Sequence, residues 1–223
     1  MADRGPRPGT VPAHVVVIDS GVDPGHPGVR GRCQFRAGPA FAADRSLLPL
    51  VGGHDELGHG TAIAAAILAI APGTVLTALR VFDDQPTCDF VRVLDALEHA
   101  LALQPQIVNL SLGTTSLDHR PRLQQLVATA RAAGIRLVAP ASYSGLPCDP
   151  GGLPGVDAVV ADPNVPPLLP ERRVHDGREL WFAAAVPPRG HDGLCQLRAR
   201  GESLACAWVT GLLARRSPAG SRA

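Results

Sequence analysis

Short apolar runs recur along the chain and predict the strands of a buried sheet. The first run, HVVVID, occupies residues 14–19 and is rich in β-branched side chains, which is typical of a strand buried on both faces. Comparable runs predict further strands at residues 74–82, 106–112, 135–141, 156–161 and 180–186. Strands of this continuous apolar kind favour a parallel sheet that is covered on both sides.

Segments with helical character lie between these strands. Residues 59–71 are rich in alanine and apolar nearly all round, which predicts a buried helix. The other predicted helices cover residues 90–101, 122–133 and 202–215. The alternation of strands and helices predicts an α/β fold of three layers, with a mostly parallel sheet and helices on both faces. In such sheets the loops at the carboxyl ends of the strands build the functional site.

The pattern also defines where regular structure is not expected. Residues 30–55 and 163–179 are irregular and rich in proline, so we predict long loops there. Residues 217–223 form a small polar tail that we expect to be disordered. The chain is therefore predicted to be a single domain over residues 1–216, because 223 residues suffice for one ordinary core and no repeat is visible.

Composition narrows the classes of function without choosing one. The 21 basic residues, all of them arginine, face 20 acidic ones, and aromatic residues make up only 4% of the chain. This near-neutral balance argues against a nucleic-acid surface, and the scarcity of aromatics argues against a stacking platform for single strands. We interpret the exclusive use of arginine as codon bias of a bacterium with GC-rich DNA. A globular enzyme or a binding module remains.

Cysteine usage and the chain start suggest a cytoplasmic protein. The five cysteines are odd in number and contain no CxxC pair, so free thiols in a reducing compartment are expected. The first fourteen residues contain charges and prolines but no apolar core of a secretory signal. The longest apolar run, residues 62–72, is about half of what a membrane span requires. We therefore expect neither export nor membrane contact.

Three short stretches place reactive side chains at the ends of predicted elements. VVIDSGV puts Asp19 at the end of a buried strand, GHGT puts His59 at the start of a buried helix, and GESLA puts Ser203 at the start of the last helix. A serine hydroxyl is a weak nucleophile near neutral pH and needs an adjacent base. An imidazole can serve as that base, and a carboxylate can hold it in the required tautomer. These are the parts of a nucleophilic triad.

In these motifs the sequence resembles the subtilisin-like serine proteases. The family's aspartate motif matches VVVIDSGVD, its histidine motif matches HGTAIAA, and its serine motif matches GESLACAWVTG. The resemblance implies the subtilisin-like fold, with Asp19, His59 and Ser203 as the catalytic residues and Ser203 as the nucleophile. It covers roughly residues 11–214. Secreted members carry a folding prodomain, but only eighteen residues precede Asp19 here, so we expect an intracellular member that folds without a pro-segment.

The resemblance further implies where a substrate binds. The stretch IVNLSLG, residues 107–113, is similar to the family's strand before its substrate-binding edge. The backbone of Ser111, Leu112 and Gly113 would then pair with an extended peptide, whose side chains enter pockets that select it. The sequence contains no DxDxDG-like calcium-binding cluster. The neighbouring acids Asp83 and Asp84 are interpreted as a solvated turn. Neither a metal nor another cofactor is therefore expected.

The chain departs from the family where the oxyanion is stabilised. Family members use the backbone N–H of the serine and an asparagine side chain. Here the asparagine position falls on Tyr143, or on Ser142 if the register slips by one. Either hydroxyl could donate, although neither has the reach of an amide; alternatively, Tyr143 only fills the neighbouring pocket.

Two further departures lie around the serine. Glu202 puts a negative charge beside the developing oxyanion unless it points to solvent, but as an early helix residue it also favours the helix dipole. Cys206 is read as a buried small residue rather than as a reserve nucleophile.

The residues together predict a serine endopeptidase acting on a peptide or protein, with a dedicated peptide precursor as a possible substrate. The rival hypothesis is a pseudoprotease that binds an extended peptide at residues 111–113 without cleaving it. The altered oxyanion region and Glu202 motivate that rival. An esterase is disfavoured because the chain contains no GxSxG elbow.

Overall fold

The computed structural model describes residues 12–49, 53–143, 145–187 and 199–217. Within them lie eleven strands and four helices. The strands are β1 (His14–Asp19), β2 (Gln34–Phe41), β3 (Leu47–Pro49), β4 (Val75–Arg80), β5 (Ile107–Leu110), β6 (Arg136–Pro140), β7 (Ser142–Tyr143), β8 (Leu146–Pro147), β9 (Asp157–Ala161), β10 (Glu171–His175) and β11 (Arg178–Ala183). The helices are α1 (His59–Ile70), α2 (Phe90–Ala102), α3 (Arg120–Ala132) and α4 (Gly201–Arg216).

Nine strands form one sheet, in the order β10-β11-β9-β6-β5-β1-β4-β2-β3. All neighbouring pairs are parallel except the two outermost ones, β10 with β11 and β2 with β3. The predicted α/β fold with a mostly parallel sheet is confirmed. β7 and β8 form a separate antiparallel hairpin.

Side chains of the central strand alternate between two cores. Val15 and Val17 of β1 pack into the core that contains α1 and α4, whereas Val16 and Ile18 pack into the core that contains α2 and α3. Since successive strand residues point to opposite faces, helices on both faces require the continuous apolar run observed in β1. This is why the strand reads as uninterrupted valine and isoleucine.

The two segments predicted as loops contain strands. Residues 30–55 include β2 and β3, and residues 163–179 include β10. The prediction was wrong because all three strands lie at the margins of the sheet: β3 and β10 are the edge strands, and most of their residues and those of β2 are not buried. An edge strand can carry glycine, proline and charge, and so lacks the apolar run that marks the central strands.

Helices α1 and α4 lie on the same face and cross closely. A Cβ added at Gly211 of α4 would lie 2.8 Å from the carbonyl oxygen of Ile67 in α1. The glycine therefore lets the two backbones approach. This crossing matters for the site, because His59 and Ser203 occupy the first turns of these two helices.

Three predictions concern parts of the chain with little or no description. Cys195 and, apart from Ser217, the predicted tail lie outside the described residues. The single-domain boundary at residue 216 remains a prediction. In the described ranges, no helix combines the length and apolar character needed to cross a membrane.

Candidate active site

Asp19 and His59 meet at the carboxyl end of the central strand. Asp19 is the last residue of β1 and is fully buried, and His59 opens α1 with a side chain that is 22% exposed. The Nδ1 atom of His59 lies 2.7 Å from Oδ1 of Asp19. This pairing leaves Nε2 as the ring nitrogen available for other partners, since a carboxylate at Nδ1 favours the tautomer with its proton there.

Small residues allow this close approach. A Cβ at Gly60 would lie 3.1 Å from Cβ of Asp19, so a larger residue would push α1 away from β1. Gly58, which precedes the helix, adopts a left-handed conformation with φ of 70°, which glycine tolerates without steric cost. The GHG motif therefore sets the position of His59 through backbone geometry.

Asp55 is a residue beside the Asp19–His59 pair that the sequence analysis did not single out. Its Oδ1 accepts hydrogen bonds from Gly58 N and from Ser20 Oγ, both at 2.8 Å. Its Oδ2 accepts from Thr61 N at 2.8 Å and from Thr61 Oγ1 at 2.5 Å. The only available signal was an aspartate just ahead of a predicted helix, which is the usual mark of a helix cap.

Ser203 lies in the first turn of α4, and its hydroxyl is bound to the strand segment after β5. Ser203 Oγ donates to the carbonyl oxygen of Ser111 at 3.1 Å, and Ser111 Oγ donates to the carbonyl oxygen of Ser203 at 3.1 Å. Among the described residues, the partner of the Ser203 hydroxyl is thus the Ser111 carbonyl and not His59. The structure pairs Asp19 with His59 and Ser203 with Ser111.

A buried hydrogen-bond chain supports Ser111 from below. Thr210 Oγ1 of α4 donates to Asn109 Oδ1 at 2.8 Å, and Asn109 Nδ2 donates to Ser111 Oγ at 2.8 Å. Asn109 and Thr210 are both fully buried. Ser111 Oγ in turn donates to Ser203 O. The side chains of Asn109 and Ser111 therefore connect Thr210 in the middle of α4 to Ser203 in its first turn. The sequence analysis assigned no role to Asn109.

One residue of each pair, Asp19 or Ser111, lies at the carboxyl end of a strand, and these two strands are neighbours in the sheet. β1 and β5 run parallel, with Ile18 opposite Leu110. Asp19 and Ser111 follow these two residues directly, so both lie at the carboxyl ends of neighbouring strands. His59 and Ser203 are brought to this edge by the starts of α1 and α4.

The proposed substrate-binding segment, residues 111–113, follows β5 and is followed by an isolated β-bridge. Ser111 and Leu112 are buried, and Gly113 is half-buried. Thr114 pairs with Asp149 through two backbone hydrogen bonds of 2.9 Å. A Cβ at Gly113 would lie 2.8 Å from the sulfur of Cys148, so the glycine is required by the neighbouring loop.

Tyr143 and Ser142 lie on the β7–β8 hairpin. Tyr143 is opposite Leu146, and its side chain is 58% exposed. A side chain with this exposure does not fill a pocket. Ser142 is half-buried.

Glu202 lies in the first turn of α4 next to Ser203. A negative charge at this position interacts favourably with the helix dipole.

The surroundings of the site raise the pKa of His59 and of two nearby cysteines. Burial lowers the pKa of His59, but the charge and hydrogen bond of Asp19 and the charge of Asp55 raise it more, so its net pKa lies above the usual value. Burial, with smaller contributions from Asp149 and Glu202, raises the pKa of Cys148 to about 11. Burial also raises the pKa of the fully buried Cys206. Both thiols are therefore protonated near neutral pH and are poor nucleophiles.

The described residues contain no group of three or more histidine, cysteine or acidic side chains arranged to hold a metal ion. The chemistry available there is that of a carboxylate, an imidazole and a hydroxyl, beside the first turn of α4, whose backbone N–H groups have no partners within the helix. Such a set can activate a hydroxyl for attack on a carbonyl once Ser203 turns toward the imidazole.

Comparison with known proteins identifies a family and relatives that match about three fifths of the chain. The family model described as the subtilase family matches residues 13–144. The thermostable alkaline protease of Halalkalibacterium halodurans is 32% identical over 142 residues, which are 60% of this chain and 36% of that protein. Subtilisin of Bacillus pumilus is 29% identical over 140 residues, which are 59% of this chain and 47% of that protein. The matches thus span less than half of these relatives.

Solved structures share the fold over most of the chain. A cold-adapted subtilisin-like serine proteinase has a TM-score of 0.65 at 20% identity, covering 90% of this chain and 73% of its own. A lanthipeptide protease has a TM-score of 0.64 at 20% identity, covering 91% and 72%. The prenylagaramide maturation protease PagA has a TM-score of 0.65 at 22% identity, covering 92% and 75%.

Proposed function

The chain belongs to the subtilase family, and from that premise we propose that it is a serine endopeptidase. Ser203 attacks the carbonyl carbon of a peptide bond, and His59 takes the proton of the hydroxyl and passes it to the leaving amine. Asp19 holds the imidazole in its tautomer and stabilises the imidazolium. The resulting acyl-enzyme is then hydrolysed by water, which His59 activates in the same way.

The single observation that carries this proposal is the hydrogen bond of 2.7 Å between Asp19 and His59 at the sheet edge that also holds Ser203. A buried carboxylate joined to Nδ1 of a partly exposed imidazole is the arrangement of an oriented base. Ser111, at the end of the neighbouring strand, holds Ser203 through two hydrogen bonds, and the Ser203 hydroxyl would give its proton to that base. The oxyanion would be stabilised by the Ser203 N–H, with Tyr143 or Ser142 as the second donor.

Substrate binding would complete this arrangement. An extended peptide pairing with residues 111–113 needs the Ser111 carbonyl as an acceptor for its own N–H. That carbonyl currently accepts the hydroxyl of Ser203. The peptide would therefore displace the hydroxyl, which is then free to turn toward Nε2 of His59. In this proposal the nucleophile becomes active as the substrate is seated.

The decisive experiment is labelling with a fluorophosphonate probe, which reacts with activated serines. We expect labelling of the unmodified protein and none of Ser203→Ala. Ser217→Ala is the matched control, because it removes a hydroxyl from the opposite end of α4 and should leave labelling unchanged. Absence of labelling in the unmodified, folded protein would refute the hydrolase proposal.

A pseudoprotease is the second candidate, and a specific observation favours it. The hydroxyl of Ser203 is engaged by Ser111, and the residue next to Ser203 in the first turn of α4 is the acidic Glu202. A protein of this class would bind an extended peptide but would not be labelled. Binding of fluorescent casein fragments without their cleavage, together with an unlabelled Ser203, would favour this candidate.

We propose a dedicated peptide precursor as the substrate of the endopeptidase. Two proteins that share its fold are described as a lanthipeptide protease and as a prenylagaramide maturation protease, and these names suggest the class of substrate to test. The protein would be incubated with precursor peptides encoded beside its gene and with casein. Cleavage of one precursor at one bond supports the proposal, and cleavage of casein alone contradicts it.

A further inference from the structure

Asp55 is the most densely hydrogen-bonded carboxylate near the site, and no step of the mechanism uses it. Each of its two oxygens accepts one backbone N–H and one hydroxyl. The backbone donors, Gly58 and Thr61, flank His59 on either side. The side chain therefore binds the first turn of α1 on both sides of the proposed base.

Ser20 extends this contact from the helix to the strand. Its hydroxyl donates to Asp55 at 2.8 Å and accepts from Gly60 N at 2.9 Å, while its backbone N–H donates to Asp19 Oδ1 at 2.8 Å. Thr61 adds a second connection, because its hydroxyl accepts from Asp23 N at 2.9 Å. Asp55 thus joins the start of α1 to the end of β1 and to the turn that follows it.

A helix cap alone would not need this arrangement. A capping side chain needs only to accept the free N–H groups of its own helix. Asp55 also binds the residue that follows Asp19, and its charge acts on His59 together with that of Asp19. These are the two charged groups that influence the imidazole: Asp19 from β1 and Asp55 from the segment before α1.

We propose that Asp55 is a positioning residue of the active site, which fixes the start of α1 against β1 so that His59 meets Asp19 in one orientation beside two negative charges. This inference rests on the proposed function, since it assigns His59 the role of base. Asp55 does not touch the reacting atoms. It acts through Ser20, Thr61 and the backbone around His59.

The test compares Asp55→Asn with Glu56→Gln. Each change removes one carboxylate from the same segment, but Glu56 is exposed, and among the described residues its side chain is bonded only to His54. Each oxygen of Asp55 accepts a backbone N–H. In Asp55→Asn the NH₂ of the new side chain must therefore face one of these N–H groups, whichever way the amide turns. We expect the rate of fluorophosphonate labelling to fall roughly 10- to 100-fold, as small displacements of catalytic groups do. Glu56→Gln should change it less than about twofold.

The pH profile separates positioning from mere stability. Labelling requires the neutral imidazole, so its rate rises with pH through the pKa of His59, and this pKa lies above its usual value. Removal of the Asp55 charge lowers that pKa, so the acid limb of the profile should move to lower pH in Asp55→Asn. A purely structural role would reduce the amount of folded protein without moving the limb.

The titration of His59 by NMR tests the inference independently of activity. If the unmodified protein is not labelled, the proposed function fails, but the midpoint of His59 in Asp55→Asn still decides the role of Asp55. A midpoint and labelling rate equal to those of the unmodified protein would overturn the inference. If Asp55→Asn does not fold, Ser20→Ala replaces it, because it breaks the connection to Asp19 while the contacts of Asp55 with Gly58 and Thr61 remain. A slower labelling rate in folded Ser20→Ala then supports the inference, and an unchanged rate overturns it.

Discussion

The site consists of a base half, Asp19 with His59, and a nucleophile half, Ser203 with Ser111. The two halves differ in how closely their hydrogen bonds match those that the proposed reaction needs. In the base half, Asp19 and His59 are already hydrogen-bonded, and Ser20, Asp55 and Thr61 tie their two elements together. In the nucleophile half, Ser203 is well anchored, but its hydroxyl is directed at Ser111. The base half lies within the residues that match the subtilase family, whereas Ser203 lies outside them.

This difference indicates which half would limit the reaction. A base that is already hydrogen-bonded to its carboxylate needs no rearrangement before reaction. A nucleophile that must first turn away from Ser111 leaves the rate to be set by that half. Loss of the Asp19 carboxylate should therefore nearly abolish activity, whereas changes around Ser203 that keep its hydroxyl should adjust activity in either direction.

The largest effect is expected for Asp19→Asn. The amide would present a donor or a weaker acceptor to Nδ1, so the imidazole would lose the required tautomer and the support for its positive charge. We expect the labelling rate to fall by roughly 10⁴-fold, as in other triads, while the protein stays folded. Far-UV circular dichroism serves as the control for folding. A loss of less than about tenfold would mean that the Asp19–His59 bond has no catalytic role.

The combined change of Ser142→Ala and Tyr143→Phe tests the nucleophile half. If one of these hydroxyls donates to the oxyanion, the double variant should lose roughly 10²- to 10³-fold in kcat, the loss seen when such a donor is removed from subtilisin. The single variants then assign the donor. Cleavage of a precursor peptide or of casein is the measurement. An unchanged kcat in the double variant would show that the backbone N–H of Ser203 acts without either hydroxyl.

The sequence predicted the central elements and the reactive residues, because these depend on local patterns. The apolar run of β1 and the small residues around His59 determine where Asp19 and His59 lie, and both were predicted at element ends. The strands β2, β3 and β10 were missed because their edge positions remove the apolar pattern. Asp55 was missed because its contacts with Gly58 and Thr61 look like an ordinary helix cap, and its contact with Ser20 forms only when α1 packs against the end of β1. The direction of the Ser203 hydroxyl likewise depends on a contact across 92 positions.

A smaller effect is expected for Gly211→Ala, which changes the spacing between the two halves. The added methyl group would press on Ile67 of α1, where α1 and α4 cross. Overpacking of this kind costs about 1–3 kcal/mol of folding free energy, measured by urea denaturation. Because the helices carry His59 and Ser203, labelling should slow about tenfold, while the NMR titration of His59, which reports the base half alone, stays unchanged. A shifted titration would mean that the two halves are not separate units.

The smallest effect, and the one of opposite sign, is expected for Glu202→Gln. The carboxylate lies beside Ser203 in the first turn of α4, so its charge opposes the negative charge that develops on the oxyanion. A unit charge at a few ångströms in a solvated site contributes about 1 kcal/mol, and its removal should raise kcat roughly fivefold. The same charge favours the helix dipole, so stability should fall by about 0.3–1 kcal/mol. Faster turnover with lower stability would show that Glu202 restrains the nucleophile half. A slower variant would show instead that the carboxylate assists the reaction, and the contrast between a prepared base and a restrained nucleophile would then have to be given up.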